Sequence, residues 1–194
     1  MKNLAFQITA MLICCQIQLM SQGCLPEGIT FNTQADIDNF QNNYPGCTQI
    51  DGDVTVYGSD INNLNGLSVL TSIGGSLDIG SLVYGGNPLL VSLTGLDNLT
   101  AVGGDLGIKY NEALTSLSGF GGLYTIGGSL SVARNGLTSL SGLDGLTGIG
   151  GDCEIRDNCN LANLAGLDNV IFIGGVLNLQ NNSALVDLAG LHNL

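Results

Sequence analysis

Residues 126–151 read Ile-Gly-Gly-Ser-Leu-Ser-Val-Ala-Arg-Asn-Gly-Leu-Thr-Ser-Leu-Ser-Gly-Leu-Asp-Gly-Leu-Thr-Gly-Ile-Gly-Gly. Ile-Gly-Gly opens the stretch and returns at its end. Leu130 and Val132 alternate with serine or alanine, the period of a strand with one face inward. Leu137, Leu140, Leu143 and Leu146 then fall at every third position, a spacing that suits corners and 3₁₀-like turns. The 23 residues between Gly127 and Gly150 leave little room for a three-turn helix beside the strand.

The same unit recurs on both sides. Ile/Val-Gly-Gly stands at Ile73, Val102, Ile126, Ile149 and Ile173, with first glycines 29, 24, 23 and 24 residues apart. A second marker, glycine followed by Leu or Phe, stands at Gly66, Gly95, Gly119, Gly142, Gly166 and Gly190, spaced 29, 24, 23, 24 and 24. Two markers holding one period predict a mainly β, right-handed solenoid of about six turns. Each turn buries its leucines only against its neighbours. Inward strand positions are Val54/Val56, Leu77/Ile79, Leu106/Ile108, Leu130/Val132, Cys153/Ile155 and Leu177/Leu179. The glycine pairs are expected where the backbone bends into the strand and needs positive φ or close approach. Asn111, Asn135, Asn158 and Asn182 share one column and are expected to bond corner backbone groups. Extra residues around Leu82-Val83-Tyr84-Gly85-Gly86 lengthen one turn and predict a loop at a strand exit.

The flanks differ from the repeat. Residues 1–23 read as a signal peptide, with Lys2, an apolar run from Leu4 to Met20, and Ser21-Gln22-Gly23 before the cut. A short buried helix and a lipoprotein acylated at Cys24 are the alternatives. Export makes the protein secreted or cell-surface, with no membrane insertion of the mature chain. Residues 24–49 form an N-terminal cap, with a capping box at Thr33-Gln34-Ala35-Asp36 opening a helix over 33–43, and 50–194 form the repeats. Cys24 and Cys47 flank the cap, and a bridge between them would add about 3 kcal/mol. Cys153 lies four turns from Cys47, ~19 Å along the stack at the strand spacing, beyond disulfide reach. Cys153–Cys159 is then the other bridge open to the chain, with two free thiols as its alternative. The chain stops shortly before another Ile-Gly-Gly is due. This predicts a piece of a longer protein, truncated at the C-terminus, or end-to-end self-association through an open last rung.

Cys47-Thr48-Gln49-Ile50-Asp51-Gly52-Asp53-Val54-Thr55-Val56, Leu64, Leu67, Leu70 and Ile73-Gly74-Gly75-Ser76-Leu77-Asp78-Ile79 together resemble the receptor L domain. This is a leucine-rich-repeat-like β-helix of receptor ligand-binding regions. The likeness covers about 50–194, and a bridge from Cys47 to an upstream cysteine would resemble that family's cap. The Leu-Thr-Ser-Leu and Gly-Leu-Asp-Asn-Leu variants look like L-domain-type arrays in exported bacterial surface proteins. The resemblance implies a binding or adhesive surface and transfers no ligand.

Charge narrows the partners. Sixteen acidic residues against four basic ones give a net charge of −12, which excludes nucleic acid, whose phosphates need clustered Lys and Arg. A single histidine excludes a multi-His metal site and disfavours a His-based triad. No cofactor, metal or catalytic residue is assigned. Asp152 and Glu154 share a face that nothing in the sequence deepens into a cleft, so the chain reads as a non-enzyme. The outward strand positions form two columns: Asp53, Ser76, Asp105, Ser129, Asp152, Val176 and Thr55, Asp78, Gly107, Ser131, Glu154, Asn178. Alternating the acids in the first column limits repulsion between rungs. Lys109, Arg134 and Arg156, the only basic residues after Lys2, fall on consecutive turns with Tyr110 adjacent. They form either an ion-pair strip or binding anchors. The candidate ligand-binding set is Lys109, Tyr110, Arg134, Arg156, Asp105, Asp152 and Glu154. The expected role is a cell-surface module presenting a repeat-built β-face to an extracellular protein or glycan; the alternative is a structural spacer.

Overall fold

The computed structural model describes residues 23–194. Apart from Gly23, the expected signal peptide lies outside the described residues, with Lys2, Cys14 and Cys15. The chain forms a parallel β-solenoid of about six turns carrying two sheets. The larger sheet stacks seven strands in chain order: Ile29–Phe31, Val54–Val56, Leu77–Ile79, Leu106–Lys109, Leu130–Ala133, Cys153–Arg156 and Leu177–Gln180. Register places Leu77, Leu106, Leu130, Cys153 and Leu177 in one inward column, and Ile79, Ile108, Val132, Ile155 and Leu179 in the next.

The second sheet departs from expectation. Gln49–Ile50, Ser72–Ile73, Ala101–Val102, Thr125–Ile126, Gly148–Ile149 and Phe172–Ile173 are two-residue parallel strands. The apolar residue of each Ile/Val-Gly-Gly therefore ends a short strand, and the glycine pair carries the chain from one sheet to the other. These glycines need close approach alone. A Cβ at Gly127 would overlap the carbonyl oxygen of Gly103 one turn below. The left-handed φ falls on the other marker, with Gly95, Gly119, Gly142, Gly166 and Gly190 at φ between 109° and 117°.

The core is one continuous leucine-rich column from Phe31 to Val170. At its N-terminal end the cap holds as expected in place but not in continuity. Helix α1 (Gln34–Asp38) and helix α2 (Phe40–Asn43) replace a single helix over 33–43. The break is at Asn39, whose side chain donates to the Ala35 carbonyl at 2.8 Å and so competes with regular helix propagation. The Thr33 hydroxyl accepts from the Asp36 amide, and the Asp36 carboxylate accepts from the Thr33 amide at 2.9 Å. That second contact set, with the Thr33 hydroxyl first, holds the Asp36 carboxyl below the usual carboxylate range. Ile37 and Phe40 are fully buried, and Phe40 meets Phe31 edge to face at 5.7 Å. Ile29–Phe31 extends the large sheet beyond the first repeat, a strand that its sequence, lacking the repeat, does not announce.

Cys24 and Cys47 are bridged, with Cα atoms 5.7 Å apart, leaving Cys24 no thiol for acylation. The second bridge does not form. Cys153 fills a leucine position inside the core while Cys159 faces outward beyond the corner. Burial pushes the Cys153 thiol up to about 12, so it behaves as a small apolar side chain.

Candidate functional site

The site is built on the corner where each long strand ends. There the backbone turns through an asparagine whose side chain adds a second donor to a strand carbonyl and accepts a corner amide. Asn111, Asn135, Asn158 and Asn182 donate to the carbonyls of Ile79, Ile108, Val132 and Ile155 one turn below, at 2.8–3.0 Å. Each Oδ1 accepts the backbone N–H of the preceding asparagine. The ladder also contains Asn87, which donates to Val56 and Asn111. The insertion shifts Asn87 out of sequence register and hides it from periodicity. Its Oδ1 is buried at the end of the ladder with no donor.

The residue before each later asparagine takes a left-handed conformation: Tyr110 (φ 59°), Arg134 (57°), Asp157 (56°) and Asn181 (57°). A side chain with a Cβ pays roughly 1 kcal/mol for this. Those four side chains project outward and touch in order. The Arg134 guanidinium lies over the Tyr110 ring, 5.1 Å from its centre. Arg134 Nε is 3.6 Å from Asp157 Oδ2, and Asn181 donates to Asp157 Oδ1 at 2.9 Å. The Asn181 amide, followed by Arg156 and Arg134, draws the Asp157 carboxyl below its ordinary range.

One position earlier, register aligns Lys109, Ala133, Arg156 and Gln180. Lys109 pairs with Asp78 at 3.4 Å, and Arg156 bridges Glu154 at 3.2 Å and Asp157 at 3.1 Å. Glu154 first, then Asp157, raises the Arg156 guanidinium further above its usual value. All three cations thus sit in ion pairs on one edge, within reach of solvent. Beside Arg134, an open depression of about 320 Å³ is lined by Glu112, Asn135, Gly136, Asp157, Cys159 and Asn160.

The β-face itself is not flat. Ser129, Ser131, Asp152, Glu154, Val176 and Asn178 border an open depression of about 390 Å³, shallower than a cleft. Asp and Ser in the first outward column also share a structural task that charge spacing does not describe. Asp53, Ser76, Asp105, Ser129 and Asp152 each accept the backbone N–H of the next rung's residue, at 2.7–3.0 Å. One oxygen of Asp105 and one of Asp152 are therefore committed to the scaffold. Among the described residues no group of three or more His, Cys, Asp or Glu side chains is placed to hold a metal ion.

Sequence reasoning brought Lys109, Tyr110, Arg134 and Arg156 to one edge, and the structure joins them there. It passed over Tyr57 and placed Tyr84 only in the inserted loop; their rings stack 4.9 Å apart at 20° on the same edge. Tyr57 follows a strand directly and was readable as a strand exit. Tyr84 sits in the insertion, where periodicity is silent. On the second sheet, Thr71 and Thr100 donate their hydroxyls to the carbonyls of Thr48 and Thr71, a polar column likewise unforeseen.

Among the described residues no helix is long and apolar enough to cross a membrane. No family model, curated protein or solved structure matches the chain.

Proposed function

We propose that this protein is a secreted or cell-surface binding module, an L-domain-like solenoid that meets its partner along the strand-exit edge and the adjoining β-face. The observation carrying this reading is the edge strip Tyr110–Arg134–Asp157–Asn181. The buried asparagines demand only the left-handed backbone there, which Asn or Gly meets at lower cost. Tyr and Arg at such positions add side chains typical of interface anchors. The Cys24–Cys47 bridge supports an oxidising, exported setting. The resemblance to receptor L domains supports a recognition role in place of chemistry, and Asp152 and Glu154 support it further, since both already serve scaffold hydrogen bonds or ion pairs.

The test is retention of the purified, labelled chain on the surface of its native cells, set against a Lys109→Ala, Arg134→Ala, Arg156→Ala triple variant. The expected result is a fall in apparent affinity of at least about tenfold with an unchanged circular dichroism spectrum. Equal retention of the two proteins would identify a spacer whose partner contacts lie elsewhere.

A further inference from the structure

We infer that the edge beginning at Tyr57 and Tyr84 binds an extended, uncharged polysaccharide of β-linked pyranose rings; this rests on the binding-module reading and names its ligand class. Among the described aromatic residues Phe31, Phe40 and Phe120 are buried, and Tyr44, Tyr124 and Phe172 are exposed singly at the cap and the second sheet. Tyr57, Tyr84 and Tyr110 instead gather on the strand-exit edge of three successive turns. Tyr84 is 66% exposed, so one face of its ring is free while the other rests on Tyr57.

The loop that carries Tyr84 is constructed rather than slack. Ser81 and Gly85 exchange backbone hydrogen bonds at 2.8 and 3.0 Å, and the Ser81 hydroxyl accepts from the Val83 amide at 3.1 Å. Its base lies so close to the next turn that a Cβ at Gly86 would overlap the Tyr110 carbonyl oxygen. An insertion held this way presents a ring to water in one fixed place, stacked on Tyr57. Leu82 and Val83, just before it in the loop, are exposed as well.

From Tyr84 the edge runs through Tyr110, Arg134, Asp157 and Asn181, one ring or planar polar group per turn. Turns repeat at about 4.8 Å, close to the advance of one sugar in an extended β-linked chain. Aromatic faces match the C–H faces of pyranose rings, and planar amide, carboxylate and guanidinium groups match paired hydroxyls. Charge sets the glycan's character. The chain carries −12, and every cation on the edge is already ion-paired, so a polyanion is repelled and finds no free counter-charge.

Calorimetric titration of the full chain with cellohexaose and chitohexaose, their disaccharides, and polygalacturonate tests this. Saturable binding to a neutral hexasaccharide is expected, at least about tenfold tighter than to its disaccharide. Tyr84→Ala is expected to weaken it at least about tenfold. Tyr84→Phe should restore it, and Tyr124→Ala, on the other sheet, should leave it intact. Absence of saturable binding to both hexasaccharides, indifference to Tyr84→Ala, or tighter binding of polygalacturonate would each overturn the inference. Adding the hexasaccharides to the cell-retention assay separates the two proposals. Retention that depends on the triple substitution but survives both competitors leaves the binding module standing and removes the glycan; retention blind to the triple substitution removes the binding module.

Discussion

Two columns run side by side down the corner of this solenoid, one residue apart in sequence, and they obey different rules. The inner column is asparagine in five turns, Asn87, Asn111, Asn135, Asn158 and Asn182. The outer column is Tyr110, Arg134, Asp157 and Asn181, four different side chains on one backbone conformation. Burial makes the difference. An inner side chain must donate to the rung below and accept from a neighbouring amide, and among small side chains only a carboxamide does both while uncharged. Outer side chains face water, and the stack asks of them a left-handed backbone but no particular hydrogen bond to the rungs. A partner can therefore be encoded outside without disturbing the ladder inside.

That contrast can be broken most forcefully from the inside. Asn135→Ala orphans the buried Asn111 amide and takes one of two donors from the Ile108 carbonyl, which keeps its place in the parallel ladder. Urea unfolding is expected to show a loss of about 3 kcal/mol; a loss below about 1 kcal/mol would mean that the turns hold without their asparagines. The neighbouring Arg134→Asn sharpens the comparison. It removes an exposed cation–π contact and a solvent-screened ion pair but relaxes the left-handed backbone. Stability should change by no more than about 0.5 kcal/mol in the same assay.

The smallest effect is at the cap, where the repeat's rules stop. Asp36 has a carboxyl lowered in the folded state by the Thr33 hydroxyl. Its contribution is fully present above the ordinary carboxylate value and is lost as pH falls through the lowered one. Acid titration of the unfolding midpoint should therefore show a shallower decline in Asp36→Asn than in the parent chain, and parallel curves would remove the capping box from the stability of this end.

The legibility of the molecule follows the same division. Leu130, Val132 and their equivalents were readable because a stacked turn forces like residues into register, so each repeat confirms the next. Asn111 to Asn182 were readable for that reason, whereas Asn87 was not, because five inserted residues move it out of phase. The two-residue strands of the second sheet were hidden in the Ile-Gly-Gly marker, whose brevity carries no alternation to detect. Cys153 and Cys159 lie six residues apart, yet one points into the core and the other out of it, a distinction that sequence separation does not contain.

By itself the sequence determined the period, the inward columns, the place of the cap and the acidic, cation-poor surface. All of these depend on residue type and spacing, which local chemistry fixes. Only the tertiary structure decided that Asp and Ser in the outer column are scaffold acceptors, that the three cations are paired, and that Tyr84 leaves its insertion to stack on Tyr57. Apart from the pairing of Arg156 with its neighbours Glu154 and Asp157, these are contacts between turns 23 to 31 residues apart, and the partner at such a distance is set by how the turns stack and where a loop folds back.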